Sequence, residues 1–343
     1  MDIQRLEIAR LFHRAGFGPK PGEFAEALRA GVASTRSKIL SPPSTVSFVT
    51  PPVLTDLGPR PAPNSPAVVE FSQQLRYQNQ QLFLWWLDEM ATSPHTLQEK
   101  MTWFWHGHWA TSIDKVDYAL PMFNQNVTLR QYALGNFTEF SKAMFFDGAL
   151  QEWLDGGENT VKDPNENLSR EMMELFVLGV NRYTETDVKE LARAFTGYQV
   201  SRSKGLVTHN PRRRDTSPVT ILGKTGVMNP EEVIAHLVSQ SNCALFIAER
   251  IWYRFVSSQE PLPQNHPMIK AFADRDIYAL MKSLIESSAL SQQQYSMVKS
   301  PVEWFIGICR ALAITPSTLP SPTKLVGYFE KLSQVPFSPP NVG

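Results

Sequence analysis

The sequence predicts a mainly α-helical, multi-helix globular domain with long loops and at most a small β-hairpin. Apolar residues recur at helical 3–4 spacing along most of the chain, and strand-like stretches are few and short. The composition, 42% hydrophobic and 19% charged, is that of a chain with a packed core. At 343 residues it is read as a single helical domain over 1–343, long enough to bury a sizeable interior.

The elements follow in order. Ile3, Leu6, Leu11 and Phe12 fall near one face of a helix over 3–15, which Gly16 and Gly18 should stop. A second helical segment is expected around Pro21 to Ala30. Ser41 to Pro66 then carries eight prolines in 26 residues, which forbids a regular helix or an inner strand. Residues 41–66 are therefore an extended segment within the domain. Helical patterning resumes from Val68 to Trp105 and breaks at "ATSPH", with Ser93 as cap and Pro94 at the first helical position. The helix after it carries Leu97, Met101, Phe104 and Trp105 and is expected to end at Gly107. Further helices are expected over about 128–155, 165–178, 185–196, 230–256, 267–287 and 299–313. "GLVTH" and "VTIL", on either side of Arg212–Arg214, are the strand-like pieces that would pair as the small hairpin.

Charge and cysteine usage exclude several classes. Lys plus Arg equals Asp plus Glu at 33 each, which argues against nucleic acid or an anionic membrane as the main partner. No run of 18 apolar residues exists, so no membrane span is expected. The opening helix lacks the apolar stretch of a signal peptide. The expectation is a soluble, cytoplasmic chain, with export open if the N-terminus is not the natural one. Cys243 and Cys309 match no CxxC pattern and are read as buried thiols.

Two stretches carry candidate chemistry. In "PNENLSREMMELFVLG", Asn167, Arg170, Glu171 and Glu174 fall within a helical stripe roughly 100° wide. The rest of the wheel is apolar, which embeds the helix and makes its polar stripe a candidate catalytic face. Arg170 is expected to pair with Glu174, and Glu171 lies beside Glu174 at i,i+3. Two carboxylates that close repel unless a cation, a proton or an arginine lies between them. The stripe reads either as an ion pair facing a wet groove or as a site that binds metal or moves protons.

In "WFWHGHWATS", a continuous helix would point His106 and His108 about 200° apart. An extended segment would put them on one side, and Gly107 at a helix end favours that geometry. His106, His108 and Glu171 are then the candidate ligands of one divalent metal, with the second glutamate as general base. The competing reading packs both imidazoles into an aromatic core. In "YTETDVKELARAFTGY", Thr184 and Asp187 are expected to form a capping box, with aspartate in place of glutamate. HExxH, ExxH, P-loop, GxSxG and GxGxxG patterns are absent.

At "RLEIARLFHRAGFG", "EKMTWFWHGHWATS", "PNENLSREMMELFVLGVNRYTETDVKELARAFTGY", "LFIAERIWYRFV", "VKSPVEWFIGICRAL" and "FSPPNVG" the chain resembles the bacterial domain of unknown function 1800 family. The likeness spans nearly the whole chain. It implies a mainly helical fold but no settled activity. It also implies a neighbouring gene product resembling sulfatases and alkaline phosphatases, and export in many members. The resemblance places a His-Asp pair where this chain has Arg214-Asp215, with His209 five residues away. It also implies a Gly-Trp-rich element beyond "PPNVG", which this chain would lack.

Two functions are expected. One is a hydrolase whose site is lined by His106, His108, Asn167, Arg170, Glu171 and Glu174, with or without a divalent metal, acting on a sugar or envelope-type substrate. The other is a non-catalytic binding or maturation partner of a sulfatase-like protein.

Overall fold

Sixteen α-helices and two small antiparallel hairpins make up the regular structure of the computed structural model, which describes residues 3–41, 49–292 and 294–339. The mainly α expectation therefore holds. No described helix is long and apolar enough to cross a membrane. Of the proline-rich segment, residues 42–48 lie outside the described part, and 49–66 carry neither helix nor strand. The "PNVG" end, residues 340–343, also lies outside it. Cys243 and Cys309 are buried and form no disulfide, and burial pushes the Cys309 thiol up to about 11.

Several expected helices are interrupted, and each interruption has a local cause. The helix expected over 128–155 is three: Ala119–Gln131, Phe137–Phe145 and Gly148–Trp153. Asn136 accepts from the Thr138 and Glu139 amides and Asp147 from the Leu150 amide, so each side chain starts a new helix by satisfying its free N–H groups. Gln240, in extended conformation, divides 230–256 into Pro230–Ser239 and Ser241–Phe255. Arg275 at φ 61° and the Asp276 cap divide 267–287 into Pro267–Ala271 and Ile277–Glu286. In the other direction, the segment expected to end near Ala30 continues as Glu23–Leu40 by kinking at Gly31. The Thr184–Asp187 capping box forms as expected and opens the Glu185–Ala194 helix.

The chain divides into two compact units, each built from separated stretches. The first comprises 1–53, 80–105 and 248–336. Its core includes Trp86, edge-on to Trp103 at 5.5 Å, with the Trp86 indole N–H donating to Glu99 at 2.7 Å. Phe104 meets Phe255 at 5.9 Å. A single buried cation joins its segments. Arg310, 1% exposed, donates to the carbonyls of Gly18 at 2.7 Å and of Ala91 and Ser93 at 3.1 Å. Ala91 lies in the last turn of the Ala67–Thr92 helix and Ser93 just beyond it, where carbonyls lack helical partners.

The second unit comprises 54–79, 106–247 and 337–343. Trp109 packs on Phe176 at 4.6 Å and Phe140 at 5.7 Å, and Phe145 lies against Phe195 at 4.5 Å. Its strands correct one expectation, since "GLVTH" and "VTIL" do not pair with each other. β1 (Tyr198–Ser201) pairs with β2 (Leu206–His209), and β3 (Val219–Ile221) with β4 (Lys224–Gly226). Turn chemistry decides this. Leu222 and Gly223 both adopt positive φ, 46° and 79°, the geometry that closes a two-residue hairpin, so the chain reverses at once.

Replacing Arg310 by Met should lower the unfolding free energy by at least about 2–3 kcal/mol, because buried carbonyls lose their donors. Chemical denaturation of the variant and the parent chain measures this.

Candidate functional site

The aromatic run sits on the Thr96–His108 helix, which passes through Gly107 without ending. The expected extended His-x-His geometry is therefore corrected. No Cβ clash or positive φ is associated with Gly107, so nothing there forces a break, and the two rings diverge. His106 is 3% exposed and His108 1%. The Phe337 amide donates to His106 Nε2 at 3.0 Å, and the Phe337 ring stands edge-on at 6.1 Å. The Phe337 carbonyl in turn accepts from the Ile113 amide at 2.8 Å, which clamps the Phe337 backbone on both sides. Ser338 adds a bond from its hydroxyl to Asp114 at 2.6 Å. An amide only donates, so His106 Nε2 must be unprotonated. Burial agrees, lowering the ring to about 3.

His108 does the reverse. Its Nε2 lies 2.9 Å from the Phe176 carbonyl, which only accepts, so this nitrogen carries the proton. The rings of Trp109, Phe137, Phe176 and Phe246 surround it at 5.5 to 6.4 Å. The bond has a local reason in the segment that bears Phe176. The helix expected over 165–178 is α-helical only over Asn167–Glu171 and widens to a π-helix over Met172–Val177. Leu178 accordingly donates to the Met173 carbonyl, five residues back, at 2.9 Å. Carbonyls at the end of such a segment need outside donors, and His108 supplies one to Phe176.

The wider turn also rearranges the polar stripe. Arg170 does not pair with Glu174. It forms a bidentate pair with Glu185, both N···O distances 2.7 Å, and a second pair with Glu166 at 3.1 Å. Glu174 instead accepts a short hydrogen bond from the Tyr183 hydroxyl. Burial, then Glu174, pushes that phenol up to about 12. Glu171 is half-buried, and burial followed by the Glu174 charge raises its pKa, opposed by Arg170. Asn167 turns the other way. Its backbone N–H donates to Asn165 Oδ1 at 2.9 Å, and its side-chain amide donates to Asp155 at 3.5 Å.

The structure thus gathers Glu171, Glu174 and Arg170 on one face, leaves Asn167 at its edge, and seals His106 and His108 into other contacts. Among the described residues, no group of three or more His, Cys, Asp and Glu is placed to hold a metal ion. The expected ligand set His106, His108 and Glu171 is not among such groups, because the helix continues through Gly107 and turns the two imidazoles to different partners. Glu166, Tyr183 and Glu185 belong to the cluster and escaped the sequence reading. Glu166 lies four residues before Arg170, a signal that helical spacing contains. Tyr183 and Glu185 arrive only through the Gly179–Thr184 turn, with Gly179 at φ 90° and Asn181 at φ 63°. A further carboxyl, Asp147, is driven up to about 7 by burial, while the Leu150 amide and Gln125 stabilise its charge. Its bonds make it a helix cap.

The architecture is that of a mainly α protein with two minor hairpins and a carboxylate cluster on a π-widened helix. Residues 10–343 match the family described as "Protein of unknown function (DUF1800)", and the chain belongs to it. No curated protein and no solved structure matches the chain. At the position where the resemblance places histidine, Arg214 donates to the carbonyls of Ala194 at 3.1 Å and Met228 at 2.8 Å. It joins two backbone segments there.

His106 contributes stability that is present above the ordinary histidine pKa of 6.5 and is lost as pH falls toward about 3, because only the unfolded chain binds the proton in that window. The slope is up to ~1.4 kcal/mol per pH unit for this one ring. His106→Gln keeps an acceptor for the Phe337 amide without a titrating group. Its stability should fall less steeply than that of the parent between these limits, as denaturation across pH will show.

Proposed function

We propose that the chain is a hydrolase whose reactive groups are Glu171 and Glu174, acting on a sugar or envelope-type substrate without help from the histidines. One observation carries the reading. Glu171 is a half-buried carboxyl whose pKa is raised by burial and by the neighbouring Glu174, while Glu174 is held by the Tyr183 hydroxyl. Paired carboxylates in unlike surroundings divide the work of acid and base. Glu171, protonated, would give its proton to the leaving oxygen as the glycosidic C–O bond breaks. Glu174 would take the proton of the attacking water. Arg170 is occupied by Glu166 and Glu185, so it does not neutralise the base.

The alternative is a non-catalytic binding or maturation partner of a sulfatase-like protein. It is favoured by the satisfaction of Arg170 and Glu174 within the chain, together with the exposed Val180 (58%) on the adjoining turn.

The test is release of reducing ends from a panel of neutral glycosides and envelope polymers. Glu171→Gln and Glu174→Gln should each cut turnover by about 10²–10⁴ with unchanged thermal stability. Turnover in the parent chain should fall as pH rises through the pKa of Glu171, since the acid must hold its proton. Variants as active as the parent would overturn the assignment. A parent that turns over nothing in the panel, but binds a sulfatase-like protein, would favour the alternative.

A further inference from the structure

A second site lies wholly within the first unit and shares no residue with the glutamate cluster. It is a cleft of about 240 Å³ whose lining includes five cations, Arg10, Arg14, Lys100, Arg254 and Lys299, against one carboxylate, Glu303. The chain as a whole carries equal numbers of acidic and basic residues, so this concentration of one sign is a feature of the fold.

Its construction begins with helical spacing. Arg10, His13 and Arg14 occupy i, i+3 and i+4 of the Ile3–Arg14 helix and share one face, where two like charges four apart repel. Both guanidiniums are held by backbone oxygens. Arg10 donates to the carbonyls of Leu290 at 3.3 Å and Gln292 at 2.5 Å, and Arg14 to those of Val256 at 3.2 Å and Tyr295. Carbonyls satisfy N–H groups but do not cancel the charge.

Lys100 is 5% exposed, pairs with Glu303 and lies 5.1 Å from the centre of the Phe17 ring. That pair uses the one carboxylate of the lining. Arg254 and Lys299 complete the rim and are exposed. His13 lines the same cleft, and its buried Nδ1 has no hydrogen-bond partner. Gly18, at φ 110°, leaves room for that ring, since a Cβ there would stand 2.9 Å from His13 Cε1.

The mutual influence of these groups agrees with the geometry. Burial, then Lys299 and Lys100, lowers His13 to about 4, and burial followed by Arg10 lowers Arg14 to about 10. A concave surface lined by one sign of charge concentrates counter-ions, and a multivalent anion would offset the repulsion among these cations.

We propose that this cleft binds a small multivalent oxyanion of the phosphate or sulfate kind. Buried Lys100 and Arg14 form its floor, and Arg254 and Lys299 close on the ion from the rim. Guanidinium and ammonium groups suit the several acceptor oxygens of such an ion.

The test is isothermal titration of the full chain with inorganic phosphate and, separately, inorganic sulfate, with sodium chloride at matched ionic strength as control. The expected result is saturable binding of one ion per chain, accompanied by a rise in melting temperature that chloride does not give. The double change Arg254→Ser, Lys299→Ser touches only exposed side chains and should weaken binding roughly tenfold or more. Lys224→Ser, at an exposed site in the other unit, should leave it unchanged. If the double variant fails to fold, Lys299→Ser alone should still weaken binding measurably. No heat beyond the chloride control, or equal affinity in the parent and the folded rim variant, would overturn the proposal.

Discussion

Two buried imidazoles at the end of one helix hold much of the second unit together. His106 accepts from the Phe337 amide and His108 donates to the Phe176 carbonyl, so neighbouring histidines in one aromatic run perform opposite hydrogen-bonding tasks. The first bond requires Nε2 of His106 to be bare, and the second requires a proton on Nε2 of His108. A proton on His106 would collide with an amide donor inside a dry pocket, and a second proton on His108 would place a full charge among four aromatic rings. Through these bonds His106 and His108 join Phe337 and Phe176, far apart in sequence, within the second unit.

The same constraint bears on the carboxylate cluster. His108 holds the end of the π-helical segment, and that segment determines where the carboxylates point. With the wider turn beginning at Met172, Glu174 meets Tyr183, and Arg170 is left to Glu166 and Glu185. His108 thus meets the backbone of the segment that carries Glu174. π-helical turns inside α-helices occur frequently at functional sites, which accords with a reactive role for Glu171 and Glu174.

Legibility in the sequence followed the range of the interactions. The capping box at Thr184 and Asp187 was readable because both partners lie within one turn. The mainly helical class was readable because apolar spacing extends over many residues. Asn136, Asp147 and Asp276 were not recognised as helix starts, although each is a capping residue type, because continuous apolar patterning on both sides masked the break. The π-helical turn left no local mark, since Met172 to Val177 suits an α-helix equally well by propensity. The histidine pair was read as extended because Gly107 often ends a helix, but here the partners on both sides hold the turn closed. Those partners, Phe337 and Phe176, lie 231 and 68 residues away, and no spacing rule reaches that far.

The most direct test of this account is nitrogen NMR of histidine-labelled protein, which reports the protonation of each ring nitrogen. His106 should carry its proton on Nδ1 and His108 on Nε2. His106 should remain neutral from pH 7 down to about 5, and added zinc should not shift either ring. Titration of His106 near its ordinary pKa, or a zinc-dependent shift at both rings, would contradict the account and return the pair to the role of metal ligands.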